Sequence, residues 1–335
     1  PIYPETLLAA SSLGIHKTTD GGFNWTLEKE GYFYDLEHVP GNPSIWYACT
    51  RDTIYKSINT GSSWFPVLNQ QQMGAFDIDR IELAVTPANS QYVYAIAGTD
   101  TSMAGLFRST NTGSVGSWSL RSNSPNILAS DSGGLNKRTQ AFYDLSLAVS
   151  PTNPNMVFAG GINIWKSVNG GATWAINTHW RHDWSLYNYV HADIHEMRFN
   201  GNTLYVGCDG GLFESSNFGN SWSDLSTGLR IMQLYYIGVD QNSSSSVYGG
   251  TQDNGSNRFN NTTVVQHIRG ADGMENIVSA SNSNLVYSSN QYGDVYRSTD
   301  GASSYVYIGN GTGNNPFYID MELSPRSGQL FKTDF

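Results

Sequence analysis

The chain has 335 residues, with 35 Gly, 20 Tyr, 14 Phe and 9 Trp but only 14% charged residues. That mix favours many short strands joined by tight polar turns over helices, which prefer Ala, Leu, Glu and Lys. A net charge of −10 without a basic cluster makes nucleic acid and anionic membrane surfaces poor partners, and no apolar run approaches the roughly 18–20 residues of a membrane span.

Thr6 to Thr26 supplies three strands, LLAAS, IHKT and the run from Trp25, but no innermost strand. They contain the first copy of a recurring turn, [Ser/Thr]-x-[Asp/Asn]-x-Gly-x-x-Trp, as Thr18, Asp20, Gly22 and Trp25. YFYDLEHVP from Tyr32 opens the next unit, whose turn is Ser57, Asn59, Gly61 and Trp64. DIDRIELAVTP from Asp77 leads to Ser109, Asn111 and Gly113, with Trp118 displaced by a two-residue insertion. FYDLSLAVSP from Phe142 leads to Ser167, Asn169, Gly171 and Trp174, and ADIHEMRF from Ala192 to Ser215, Asn217, Gly219 and Trp222.

LYYIGVDQ from Leu234 opens a unit without the turn, and VYGGTQDNGSNRF (247–259) sits where its middle strands belong. ENIVSAS from Glu275 leads to a degenerate copy, Ser298 and Asp300, with Ala302 in the Gly place and Tyr305 in the Trp place. FYIDMELSP from Phe317 is a last opening strand with little chain behind it.

The turn has a local physical basis. Asp or Asn bonds its own backbone two residues on, and Gly supplies a positive φ. The Trp starts the following strand and offers a large face for packing. The motif is therefore structural rather than a functional site. The opening strands alternate at period 2, as half-buried strands do. Units of about 40–50 residues with four strands each are blades of a β-propeller. The expected fold is all-β, a seven-bladed propeller over 1–335, with strand 317–324 closing the N-terminal blade and removing two free edges. Residues 325–335 then begin a further blade or domain; eight blades, or the start of a second propeller, is the alternative.

Five boxes, at Thr18, Ser57, Ser109, Ser167 and Ser215, look like the Asp-box (BNR) repeats of sialidase-type propellers. The segment VHADIH…YVGCDGGLFESSNFGNSWSDLSTGL…VYGGTQDNG…GADGM…VYRSTDG resembles the secreted BNR-repeat propellers of bacterial surface proteins, labelled "glycosyl hydrolase-like". Sortilin-type receptors and two-propeller xyloglucanases share the repeat. The resemblance covers nearly the whole chain and implies the fold. It implies no single activity: residues 1–18 contain no Arg for a sialidase triad, and the acidic DVGGAYRW-like box of xyloglucanases has no counterpart.

In a propeller the first strand of each blade lines the channel, and the box turns lie on the face opposite the entry loops. On the entry face the sequence places three acidic turns: Asp209 in CDGG, Asp253 in TQDNG and Asp272 in GADGM. Asp193 and His195 start an inner strand beside them. A metal site or an acid/base pair drawn from Asp193, Asp209, Asp253 and Asp272 is one reading. Tight Asp-Gly turns with channel-bonded histidines are the other. His191 and His195 lie about 13 Å apart on a straight strand, so only His191 with Asp193, or Asp193 with His195, share one ion.

The loop 177–190, NTHWRHDWSLYNYV, groups Trp180, Trp184, Tyr187 and Tyr189 beside Arg181, His182 and Asp183. It is either a stacking platform or a lid with buried rings. Cys49 and Cys208 exclude a disulfide framework and read as buried free thiols. The start at Pro1 without a signal peptide reads as a mature product or fragment. The composition fits an extracellular or cell-surface protein. The expected function is an interaction module binding a glycan or a protein partner, in a setting such as surface adhesion or gliding. The alternative is a glycoside hydrolase using carboxylates at the channel mouth, which needs two carboxyls about 5–10 Å apart in an open cleft. No cofactor is implied, although a structural cation near the channel is compatible with these residues.

Overall fold

The computed structural model describes residues 5–74, 77–181, 186–229, 231–243, 245–260, 265–309, 317–318, 321–324 and 329–332. The chain is all-β and divides into two compact units, 1–227 and 228–335. Its β-structure is a series of antiparallel meanders, the blades of a β-propeller. Among the described residues helix is confined to Gln70–Met73 and one turn at Gln291–Gly293. Among the described residues no helix is long and apolar enough to cross a membrane.

The first unit holds a three-stranded sheet (7–30) and four four-stranded sheets (35–69, 80–122, 146–178 and 194–224). The innermost strands Asp35–His38, Arg80–Val85, Ser146–Val149 and Ile194–Asn200 lie side by side in succession. Successive sheets bury an apolar layer between them. Tyr47, Ile54, Ile81, Leu83, Val93 and Phe107 form one such layer, and Phe158, Ile164, Ile194, Met197, Leu204 and Val206 another.

The second unit holds two four-stranded sheets (234–269 and 273–309) and a two-stranded one (321–332). The unit expected without a turn motif has its middle strands at Val247–Thr251 and Gly255–Phe259. Met321–Leu323 pairs antiparallel with Leu330–Lys332. Cys49 is buried and Cys208 half-buried, both as free thiols.

The box turns share one hydrogen-bond pattern. Ser167 Oγ accepts the Gly171 N–H at 2.9 Å, and Asn169 Oδ1 accepts the Thr173 N–H at 2.9 Å. The same bonds recur at Thr18, Ser57, Ser215 and Ser298. The degenerate copy keeps them with Ala302 at φ 69° in the Gly place. The exposed Asp300 carboxylate is held down to about 2, chiefly by its hydrogen bond from the Ser304 hydroxyl.

Each box after the first also leans on the preceding sheet. A Cβ on Gly113 would lie 2.6 Å from the Tyr47 ring, and one on Gly61 2.6 Å from Leu8. A cation on the preceding sheet donates into the turn: Lys17 to Ser62 Oγ at 2.7 Å, Lys56 to the Thr112 carbonyl at 2.6 Å, and Lys166 to the Phe218 carbonyl at 2.6 Å. Arg121 does so to Gly170 at 2.9 Å, and Arg258 to Gly301 at 3.1 Å. The motif is thus a clasp between sheets as well as a hairpin turn.

Candidate ligand site at the channel mouth of the first unit

The site gathers where the inner strand from Ile194 begins. The sequence suggests an extended run from Asp193, but the strand starts one residue later. Asp193 sits at φ 64°, in the left-handed region where Asp and Asn are the commonest non-glycine residues. The register against Thr203–Cys208 then slips between Ile194 and Glu196. Such a bulge re-aims the residue it contains. His195 is that residue, and its Nε2 lies 2.6 Å from Asp209 Oδ1 in the turn between the second and third strands. The straight-strand spacing of His191 and His195 therefore does not apply. The His191 ring instead packs over Gly210, where a Cβ would come within 2.2 Å of it.

Asp209 is held on both oxygens. Tyr143 donates its hydroxyl to Oδ2 at 2.8 Å, and the Tyr143 and His195 rings meet edge to face at 4.8 Å. The hydrogen bond to Asp209 raises the His195 pKa above its ordinary value and outweighs the opposing effect of burial. Gln140 donates to Asp193 Oδ1 at 3.2 Å. Asp193 is pushed up, mainly by loss of water.

Behind Asp193 lies Asp144, which sequence inspection passed over. It is 1% exposed, and neither of its carboxyl oxygens receives a hydrogen bond from a donor. Its neighbour is another carboxyl, Asp193, so a bond between the two exists only with a proton on one of them. Burial first, then the Asp193 charge, pushes the Asp144 carboxyl up to about 9. The available signal was the Tyr143-Asp144 pair heading an inner-strand run, but an acid beside an apolar run reads as a strand end.

Deeper along the inner strands is a second acidic group. Asp35 Oδ2 accepts the Leu83 N–H at 2.8 Å, and Glu82 pairs with Arg80 at 2.6 Å. Arg198 bridges Glu37 and Glu196, each at 2.6 Å. Loss of water raises Asp35, Glu37 and Glu82 alike, and Glu37, despite its Arg198 contact, reaches about 8. At the box end these strands border a cavity of about 420 Å³ lined by Pro40, Pro87, Pro151, Met197 and Arg198.

Trp180 is half-buried: its indole donates to the Ser130 carbonyl at 3.1 Å, and the Arg181 guanidinium sits 4.9 Å from its ring centre. Tyr187 packs against His179 with ring centres 5.6 Å apart. Trp184 lies outside the described residues. The exposed rings near the mouth are instead Phe142, 65% exposed, and Tyr143, 39% exposed. Asp253 and Asp272 belong to the second unit. There Asp272 Oδ1 accepts the Asp253 N–H at 2.7 Å, and Gln291 accepts the Asp272 N–H at 3.0 Å. These are bonds that shape turns.

No protein-family model matches the chain, and no curated protein matches it. Among solved structures it is similar to the GH74 xyloglucanase of Xanthomonas campestris, with 19% identity over 90% of this chain and 47% of that one, at a TM-score of 0.45. It is also similar to YCF48 of Cyanidioschyzon merolae, with 16% identity over 90% and 93% of the two chains and a TM-score of 0.42. A third is the GH74 enzyme of Niastella koreensis, at 18% identity, 90% and 46% coverage and a TM-score of 0.41. The chain spans about half the length of both GH74 enzymes.

Proposed function

We propose that this chain is a binding module of an extracellular or cell-surface protein, which takes a polysaccharide or protein partner at the channel mouth of its first unit. One observation carries this. The carboxyls gathered at this mouth are committed to internal contacts, while aromatic rings beside them face solvent. Asp209 holds His195 and Tyr143, Asp193 holds Gln140, and Asp144 is sealed off. A hydrolase needs an open pair of carboxyls, one to protonate the leaving oxygen and one to attack or to activate water. A binding face needs rigid rings with polar groups fixed next to them, and Tyr143, locked at its hydroxyl and against His195, meets that need.

The test is a panel of soluble polysaccharides and purified cell-surface fractions, with binding and release of reducing sugar measured on the same samples. Saturable binding without turnover is expected, and Phe142→Ala and Tyr143→Ala should each weaken it at least tenfold, a typical loss for an aromatic anchor. Turnover abolished by both Asp193→Asn and Asp209→Asn would replace this proposal with the hydrolase one.

A further inference from the structure

We infer that Tyr235, Tyr292, Phe317 and Tyr318 of the second unit form an aromatic corner that binds a quaternary ammonium group. The four rings meet at near right angles. Phe317 meets Tyr292 with ring centres 5.4 Å apart and planes at 88°, and meets Tyr318 at 5.0 Å and 79°. Tyr235 meets Tyr318 at 5.2 Å and 85°, and Phe317 at 6.3 Å and 84°. Perpendicular rings make a corner rather than a flat platform. Tyr292 is 61% exposed and Tyr318 51% exposed, so the corner opens to water. A left-handed backbone is an outlier for a bulky residue, yet Tyr292 holds φ 62° and ψ 16°. Its N–H donates to the Phe317 carbonyl at 3.3 Å. Strain of this kind persists only where the surroundings impose it, and it clusters at ligand clamps.

Charge selects the ligand. The turn carrying Tyr292 is tied to an acid: the Gln291 N–H donates to the Asp272 carbonyl at 3.2 Å, and Gln291 Oε1 accepts the Asp272 N–H at 3.0 Å. Asp272 Oδ1 accepts the Asp253 N–H at 2.7 Å, which holds the Asp253 turn against it. The Tyr235 hydroxyl has its pKa raised by burial first, then by its contact with Tyr318, then by the charges of Asp272 and Asp253. A ring face is electronegative, and a cation over it is attracted. Carboxylates beside the rings add to that attraction and repel an anionic ligand. A sugar stacks on one flat face, whereas a compact cation touches several faces that meet. Alkylation matters because a bare ammonium is strongly hydrated, while N-methyl groups pack against rings without giving up hydrogen bonds to water. The corner is built from the second unit alone, so it stands or falls apart from the binding proposed for the first.

The experiment is titration of choline chloride into the full chain, read by calorimetry and by magnetisation transfer to the N-methyl protons. The neutral isostere of choline, with a tert-butyl group in place of the trimethylammonium, is titrated alongside. Saturable choline binding, about tenfold or more tighter than that of the isostere, is expected. Tyr318→Ala and Tyr292→Gly should each weaken it about fivefold or more. Glycine adopts the left-handed backbone readily, so Tyr292→Gly removes the ring while relieving the strain. Tyr292→Phe should keep the binding, because the ring rather than the hydroxyl makes the contact. A trimethyllysine peptide, titrated in parallel, separates a modified protein chain from a free small cation as the source, and saturable binding of either supports the corner. No saturable binding of choline or of the peptide by the wild-type chain up to about 50 mM overturns the inference whether or not the variants fold. Equal affinity for choline and its isostere, or equal affinity in folded wild type and Tyr292→Gly, also overturns it.

Discussion

Replacing Gly113 with Ala tests whether the box turns clasp one sheet to the next. Gly113 has φ 63°, and its Cβ position lies 2.6 Å from Tyr47 Cε1 and 3.3 Å from Cζ. Tyr47 cannot swing aside, because it is fully buried and its hydroxyl is tied to the Thr112 carbonyl at 2.8 Å. Gly116 is the internal control, since it has φ 74° in the same loop and nothing within 4 Å of its Cβ position. The left-handed backbone costs a non-glycine residue about 1–2 kcal/mol at either position. Forcing a methyl against a packed ring adds about 1–3 kcal/mol at Gly113 alone. Gly113→Ala should therefore lower the unfolding free energy by about 2–5 kcal/mol and Gly116→Ala by about 1–2 kcal/mol. Urea denaturation followed by tryptophan fluorescence measures both. Adding Tyr47→Leu to Gly113→Ala should cost less than the sum of the two single changes, because it removes the clash. Equal losses at Gly113 and Gly116 would show that the glycine is kept for its backbone alone, and would sink the clasp.

Three further outcomes are expected. Lys166→Met should cost about 1.5 kcal/mol, the lower end for a hydrogen bond to a charged group, because the amine is partly exposed; no change in the urea midpoint would contradict it. Glu37, raised to about 8, stays protonated in the fold where the unfolded chain, near pKa 4.5, has lost its proton. The fold then binds the extra proton between those values, so stability is highest below about 4.5 and falls as pH rises, by at most about 1.4 kcal/mol per unit. Glu37→Gln should flatten that decline, and an unchanged slope from pH 5 to 8 would refute the assignment. For ring closure by 317–324 onto the first sheet, which we propose from the strand count, the amides of Leu7–Ala10 should be protected in the full chain. They should exchange faster once 317–335 is deleted, and equal rates would refute closure.

The repeat was legible because its causes are local. Ser167, Asn169 and Gly171 make their turn within a few residues, and the alternation of IHEMRFN needs no knowledge of its neighbours. The site was legible only in part. Asp193, His195 and Asp209 stand out as polar residues at a strand start, and the fold brings them together. Their contact depends on a register slip at His195 that no residue type announces. Asp144 was missed because its importance comes from burial against Asp193, nearly fifty residues on. Trp180 drew attention by composition, yet its ring is taken up by Arg181 and Ser130, while Phe142 and Tyr143 looked like ordinary strand residues.

The cations that reach the next box carry one more consequence. In the sequence, Lys17, Lys56 and Lys166 each stand immediately before the Ser or Thr of their own box; Arg108 holds that place in the third but bonds Asn155 and Tyr94 and leaves the next turn to Arg121, and Glu214 holds it in the fifth. The unit after Glu214 is the one whose own box has been lost. Each unit is therefore addressed to its successor, and the units are not interchangeable parts. Recombining them requires a matching rule: a unit ending in Lys or Arg before its box belongs ahead of one with an intact box, and a unit ending in Glu does not. Chimeras that obey the rule should fold, and chimeras placing the Glu214 unit ahead of an intact box should expose the carbonyl of that turn without a donor.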